Sequence, residues 1–117
     1  MGKLLVLEGL DGSGKATQST LLATALKAVG MDCRRISFPN YKSDSSALVK
    51  LYLSGAFGEK AGDVNAYAAS TFYAVDRFAS FRSDWGSYYA QGGVLVCDRY
   101  TTSNAVHQCS KLPRSEW

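Results

Sequence analysis

No stretch of this chain approaches the roughly 18–20 apolar residues that would cross a bilayer. The opening run Leu4-Leu5-Val6-Leu7 is broken at once by Glu8 and leads into a glycine loop. It is too short for a signal-peptide core and reads as a strand. Cysteine is scarce. Cys33, Cys97 and Cys109 lack metal-ligand spacing, and three is an odd number for a disulfide framework, so reduced thiols in a cytoplasmic protein are expected. There is no dense Lys/Arg block, and the formal charge of +3 is mild. Neither a nucleic-acid patch nor a membrane patch is therefore expected. Repeats, linkers and low-complexity segments are absent as well.

What is present suits one soluble globular domain over residues 1–117. The chain is 46% apolar and 20% charged, with seven Tyr, five Phe and two Trp. That is enough for a core and too apolar for a disordered chain. Leu4–Leu7 is a continuous apolar run, the mark of a strand buried on both faces. Lys15–Val29 carries Leu21, Leu22, Ala25, Leu26 and Val29 at helical spacing, with Gly30 as its stop. A second strand is predicted over Cys33–Phe38 and a helix over Ser45–Leu53, on Ala47, Leu48, Leu51 and Tyr52. A longer helix is predicted from Val64 to about Arg82, capped by Asp63, with Val64, Ala68, Phe72, Val75 and Ala79 on one face. Val94–Cys97 is a third strand and Thr102–Cys109 a further helix. Alternating strands and helices predict an α/β fold with a parallel sheet and right-handed crossovers. Ligands bind such sheets beyond the carboxyl ends of the strands. Three chemical signals follow strands at that end: Gly9–Gly14, Phe38-Pro39 and Asp98-Arg99.

Gly9-Leu10-Asp11-Gly12-Ser13-Gly14-Lys15 matches G-x-x-x-x-G-K between a strand and a helix, the context a phosphate-binding P-loop requires. Glycines let successive backbone N–H groups approach phosphate oxygens, and the helix N-terminus adds partial positive charge. Lys15 reaches the outer phosphates as a point charge. The loop predicts ATP or GTP binding and does not name the acceptor. The motif asks for Ser or Thr after the lysine, to place a hydroxyl on Mg²⁺; here that residue is Ala16. Thr17 points about 100° away round the helix. Weak or water-mediated metal contact is expected, because Mg²⁺ leans on substrate phosphates and waters.

Glu8–Lys15, Phe38-Pro39-Asn40-Tyr41, Phe72–Arg77 and Asp98–Asn104, in that order and spacing, resemble the bacterial thymidylate kinases. The resemblance covers essentially the whole chain. It implies a P-loop nucleoside-monophosphate-kinase-like fold and transfer of the ATP γ-phosphoryl group to dTMP, with Mg²⁺ as cofactor. It implies that Gly9, Leu10, Asp11, Gly12, Ser13, Gly14, Lys15, Ala16 and Thr17 hold ATP. On the acceptor side it implies Tyr73 stacked on the base and Arg77 donating to its O4 carbonyl. Arg99 grips the monophosphate and Asp11 meets the sugar 3′-hydroxyl. Phe38, Pro39 and Tyr41 wall the site, and Ser103, Asn104 and Gln108 lie near the base. Lys15, Asp11 and Arg99 are the implied catalytic residues. Asp98 would orient Arg99 or waters on Mg²⁺. The single histidine, His107, is expected in the pocket wall or in solvent.

The family's sheet has five strands and a mobile lid, on a chain roughly twice this length. Only three strands are predicted here, and the chain is expected to be an N-terminal portion of such a kinase. No arginine stands among Leu10, Asp11, Gly12 and Ser13, so the resemblance is to members whose catalytic arginines lie on the lid. The family's strand order would leave Leu4–Leu7 an unpaired edge. A homodimer using the Val64–Arg82 helix is also implied. Two alternatives stand beside this reading: another deoxynucleotide or nucleoside kinase, and a nucleotide-binding domain without turnover.

Overall fold

The computed structural model describes all of residues 1–117. Its sheet has three strands, β1 (Lys3–Leu7), β2 (Cys33–Ser37) and β3 (Val94–Asp98). β3 lies in the middle and pairs in parallel with both neighbours, giving the order β1-β3-β2. Five α-helices flank it: α1 (Lys15–Ala28), α2 (Ala47–Leu53), α3 (Ala66–Ser80), α4 (Gly86–Ala90) and α5 (Thr101–Cys109). The α/β architecture expected from the alternation of elements is therefore the one observed, reduced to three strands.

β3 is central because its residues satisfy two cores at once. Leu95 and Cys97 point to one face, against Phe38 and Trp85, with Leu4, Ile36, Tyr88 and Tyr89 at the margin. Val96 points to the other, against Ala23 and Cys33, with Leu7, Leu22 and Leu26 alongside. This is the two-residue alternation of a strand covered on both sides. β1 does not share it. Leu5 and Val6 remain 37% and 39% exposed, so the both-face burial expected of Leu4–Leu7 is not reached. The reason is position: β1 has one neighbouring strand and an open edge.

Two helices bury a different face from the one their apolar residues suggest. On α1 the buried residues are Ser19 and Ala23, with Leu22 and Leu26 half-buried, while Leu21 and Val29 are exposed. The two small side chains let the helix lie close on β2 and β3. On α3 the buried residues are Ala66, Ala69, Asp76 and Ser80, whereas Val75 and Phe78 are 40% and 68% exposed. The cap of α3 is also two residues later than expected. Asn65 Oδ1 accepts the Ala68 N–H at 2.9 Å, and Asp63 instead accepts from the Lys60 N–H at 3.0 Å.

The helical run continues past Ser80 through a π-turn, Phe81–Trp85, into α4. The wider turn swings Trp85 into the core, where its Nε1–H donates to Ser80 Oγ at 3.2 Å. Gly86 makes this possible, since a Cβ there would meet the Phe81 carbonyl oxygen at 2.4 Å. Trp85 in turn packs edge-on against Phe38, with ring centroids 6.3 Å apart. Cys33 and Cys97 are buried free thiols, and burial pushes Cys97 up to about 12.

Only 18 of 117 residues are buried, and the accessible surface is 7356 Å². A compact domain of this mass exposes roughly 6,200 Å². The radius of gyration, 15.5 Å, likewise exceeds the about 13.4 Å of a compact chain this long. Exposed apolar side chains include Leu5 and Val6 at the β1 edge and Tyr67, Val75 and Phe78 on the outer face of α3. An apolar strand edge is a template for pairing. The chain is expected to sediment above its 12.6 kDa monomer mass at micromolar concentration, and Val6→Lys on the open edge to lower that mass. A monomer with one sharp unfolding transition at every concentration would contradict this.

Candidate active site

The glycine loop joins the end of β1 to the start of α1. Gly12 and Gly14 have φ of 77° and 86°, in the left-handed region. An added Cβ at either would meet nothing within 4 Å, so the requirement is on the backbone and not on space. Ser13 N–H donates to the Leu10 carbonyl at 3.2 Å, which closes the loop tip. α1 has no acidic residue in its first turn and no side-chain cap. Its leading N–H groups are therefore open to an anion. Lys15 lies at the mouth of the loop with Nζ 3.6 Å from Asp98 Oδ1.

Arg99 follows β3 immediately and has φ 68°, the one positive value outside glycine. A left-handed residue with a side chain costs roughly 1–2 kcal/mol. Its N–H bonds the Leu7 carbonyl at 3.0 Å, so the ladder between β3 and β1 holds the turn in place. The turn aims the guanidinium back over the rim. There Nη2 donates to Asp11 and Nη1 donates to Ser103 Oγ at 2.6 Å.

All ten residues assigned to the acceptor from sequence line a single cavity of about 450 Å³: Asp11, Phe38, Pro39, Tyr41, Tyr73, Arg77, Arg99, Ser103, Asn104 and Gln108. Tyr73 and Arg77 share one wall because they are one helical turn apart on α3. The Arg77 guanidinium lies 6.0 Å from the centre of the Tyr100 ring. Asn104 Oδ1 and Gln108 Oε1 are buried acceptors with no partner, and both side chains border the cavity. His107 also lines it. Tyr52 and Lys111 line it too, joined by a Lys111 Nζ to Tyr52 hydroxyl bond of 2.9 Å. Nothing in the linear sequence joins that pair; the packing of both α2 and α5 on α3 brings it to the wall.

Three carboxylates that sequence reasoning gave no role, or a different one, hold this rim together. Asp76 is 1% exposed; its Oδ2 accepts the Asn40 N–H at 2.9 Å and its Oδ1 accepts from Ser45 Oγ at 2.6 Å. It therefore pins the Phe38–Tyr41 loop to α3. Glu8 Oε1 accepts the N–H groups of Tyr100 and Ser103, at 2.9 and 3.1 Å, and so caps α5 from a different strand. Asp98 takes Lys15 on one oxygen and Arg35 on the other, at 3.6 and 3.2 Å. The visible signal for Asp76 was an acid on a helical face otherwise made of small residues.

The residues near the loop do not fit a Mg²⁺ ion held by the protein. Mg²⁺ is usually bound through one or two carboxylates with substrate phosphates. Asp98 is already shared by two cations, one Asp11 oxygen takes Arg99, and Ala16 offers a methyl group.

Burial sets the protonation of the cavity wall. The Tyr73 phenol is pushed up to about 12, first by burial and then by neighbouring Tyr41 and Tyr52. Burial likewise raises Tyr41, with Asp11 adding to the effect, and lowers Arg77. A raised phenol stabilises the fold below its unfolded value of 10.0 and loses that contribution as pH climbs to about 12. Tyr73→Phe is expected to flatten the fall of stability across that window in urea titrations, leaving the separate slope from Cys97. An unchanged slope would show that Tyr73 is not buried as described. Asp76→Ala strands the Asn40 N–H and the Ser45 hydroxyl, and is expected to cost about 2–4 kcal/mol by urea denaturation. A loss under about 0.5 kcal/mol, the size of an ordinary surface change, would mean the clip is not formed.

The family pattern described as Thymidylate kinase matches residues 7–114. The thymidylate kinase of Mycobacterium tuberculosis (strain ATCC 25618 / H37Rv) is 33% identical over 110 residues, covering 93% of this chain and 50% of that protein. The Homo sapiens thymidylate kinase is 32% identical over 110 residues, covering 94% and 49%. The solved structure of thymidylate kinase from Candida albicans superposes with a TM-score of 0.68 at 29% identity, over 88% of this chain and 42% of that one. The chain thus spans about half the length of the curated relatives it matches. The loop, the rim and this match across nearly every residue together place the chain in the thymidylate kinase family.

Proposed function

We propose that this chain carries the phosphate loop and the acceptor pocket of a cytoplasmic kinase that moves the γ-phosphoryl group of ATP to dTMP, giving dTDP. The observation that carries the reading is the cavity. Around one space beside the glycine loop lie the Tyr73 phenol, the cations Arg77, Arg99 and Lys111, and two unpartnered buried amide oxygens.

The roles are those the family resemblance implies, and each suits the chemistry of its side chain. The loop N–H groups and Lys15 hold the donor phosphates, with Mg²⁺ arriving on ATP. Arg99 binds the acceptor phosphate, and a guanidinium suits two phosphate oxygens at once. Tyr73 stacks on thymine and Arg77 donates to its O4. One of Asn104 and Gln108 accepts from thymine N3–H, and the other, with its amide turned over, donates to a ring carbonyl. An acceptor phosphate oxygen, already ionised, attacks the γ-phosphorus as the bond to the β-phosphate oxygen breaks and ADP leaves. No general base is needed; positioning and charge neutralisation suffice. Asp11 must first release Arg99, which frees its carboxylate for the sugar 3′-hydroxyl. The homodimer of this reading uses the outer face of α3 and the start of the π-turn, where Tyr67, Val75, Phe78 and Phe81 lie exposed.

A second reading, nucleotide binding without turnover, is favoured by Ala16 and by the absence of arginine within the loop. Calorimetry on the 117-residue chain with dTMP, dUMP, dCMP and thymidine tests the pocket directly. The tightest binding is expected for dTMP, and Arg99→Ala is expected to weaken it about 10–100-fold, the worth of a charge-assisted phosphate contact. Thymidine binding as tightly as dTMP would overturn the assignment of Arg99. ADP formation from Mg–ATP that depends on dTMP separates turnover from binding alone.

A further inference from the structure

One cation at the loop has no part in the chemistry above. Arg35 stands on β2, and its side chain runs along the face of the sheet that α1 covers. Nε donates to Ser19 Oγ at 2.7 Å and Nη2 donates to Asp98 Oδ2 at 3.2 Å. Ser19 is fully buried and passes the contact on, donating to the Ala16 carbonyl at 2.9 Å. The other Asp98 oxygen faces Lys15. Arg35, Asp98 and Lys15 thus form a row beneath the loop, and Ser19 ties that row to the first turn of α1. Arg34 cannot take this place. It points to the opposite face, paired with Asp84 at 2.6 Å and lying over the Tyr88 ring.

The charges in this row decide what it can accept. Two cations flank one carboxylate, so the group is net positive before any ligand arrives. It attracts phosphate and repels a divalent ion, most strongly where side chains are screened from water. Ala16 adds to this by offering no hydroxyl to a metal. A phosphate loop of this make has its counter-charge built into the chain.

We propose that Arg35 is a positioning residue and the resident cation of this loop, holding Asp98 and the first turn of α1 so that ATP binds with little dependence on Mg²⁺. The inference rests on the reading of Gly9–Lys15 as the ATP site.

The test compares ATP affinity in Mg²⁺ and in EDTA for the 117-residue chain, Arg35→Gln and Arg35→Lys. For the unaltered chain the two affinities are expected within about threefold, and for Arg35→Gln about tenfold or more apart, the ratio that loss of one charged partner produces. Arg35→Lys, which keeps the charge, should restore the small ratio. A merely structural role would weaken binding equally in both buffers. A large ratio in the unaltered chain that Arg35→Gln leaves unmoved overturns the proposal and leaves the ATP site standing. No ATP binding in any chain removes the ATP site and the proposal together. A second readout needs neither variant to fold well nor nucleotide to bind. The Arg35 Nε–H resonance, protected by Ser19, is expected to persist in saturating Mg²⁺. Its disappearance on adding Mg²⁺ alone would show the metal taking Asp98 from Arg35, and would overturn the proposal.

Discussion

Leu7, Asp98 and Ser37 lie side by side at the carboxyl ends of three parallel strands, because β3 pairs with β1 and β2 in one continuous register. Everything at the site depends on that alignment. The residues just beyond each strand are Glu8 and the glycine loop, Arg99, and Phe38-Pro39. A slip of one residue in β3 would move Asp98 to the opposite face and send its pairing with Lys15 and Arg35 out of reach. The two cores fix the register, since Leu95 and Cys97 fit one side and Val96 the other. The burial of Val94–Cys97 on both faces of β3 is thus what brings three distant stretches of sequence to one rim.

Carboxylates do the rest of the positioning. Asp98, Asp76 and Glu8 each receive two donors from elements far apart in the chain, and Asp11 receives Arg99. Loops on a three-strand scaffold have little apolar contact to hold them, so hydrogen bonds to an ionised oxygen, roughly twice as strong as neutral ones, take that role. The Phe38–Tyr41 loop shows both devices at once. Phe38 is wedged between Trp85 and Tyr100, and Asp76 ties the next turn to α3.

The strands and the loop were legible in the sequence because each signal is local, whereas the acceptor residues at the rim were implied only by the resemblance of the ordered motifs to a family. A glycine pattern between a strand and a helix carries its own context. Tyr73 and Arg77 are one helical turn apart whatever surrounds them. What was not legible is which face of an element packs. α3 has apolar residues on more than one side, and Val75 and Phe78 stay outside while Asp76 and Ser80 go in. Periodicity reports amphipathicity, whereas burial depends on what lies opposite. The π-turn is of the same kind. Gly86 is uninformative as a letter, and its meaning appears only when a Cβ is found to collide with the Phe81 carbonyl. Arg35 and Ser19 are separated by a helix and a turn, so no local pattern could join them.

The ion pairs of the rim differ in how easily a ligand displaces them, and burial decides the order. The side chains of Lys15 and Asp98 are each 11% exposed, so their pairing is shielded and persists beneath the loop. Asp11 is 95% exposed although its partner Arg99 is only 15% exposed. Pairs open to water contribute about 0–1 kcal/mol, because solvent and salt compete for the charge. A phosphate entering the cavity can bind Arg99 through two oxygens at once, and such charge-assisted forks are stronger than a single exposed carboxylate contact. Arg99 therefore exchanges partners at small cost, while its left-handed backbone, fixed by the Leu7 carbonyl, keeps the guanidinium in place. The buried pair beneath the loop and the exposed pair above it then have different consequences. In the proposed reaction the first would set where the donor phosphates lie, and the second would yield its cation to the acceptor.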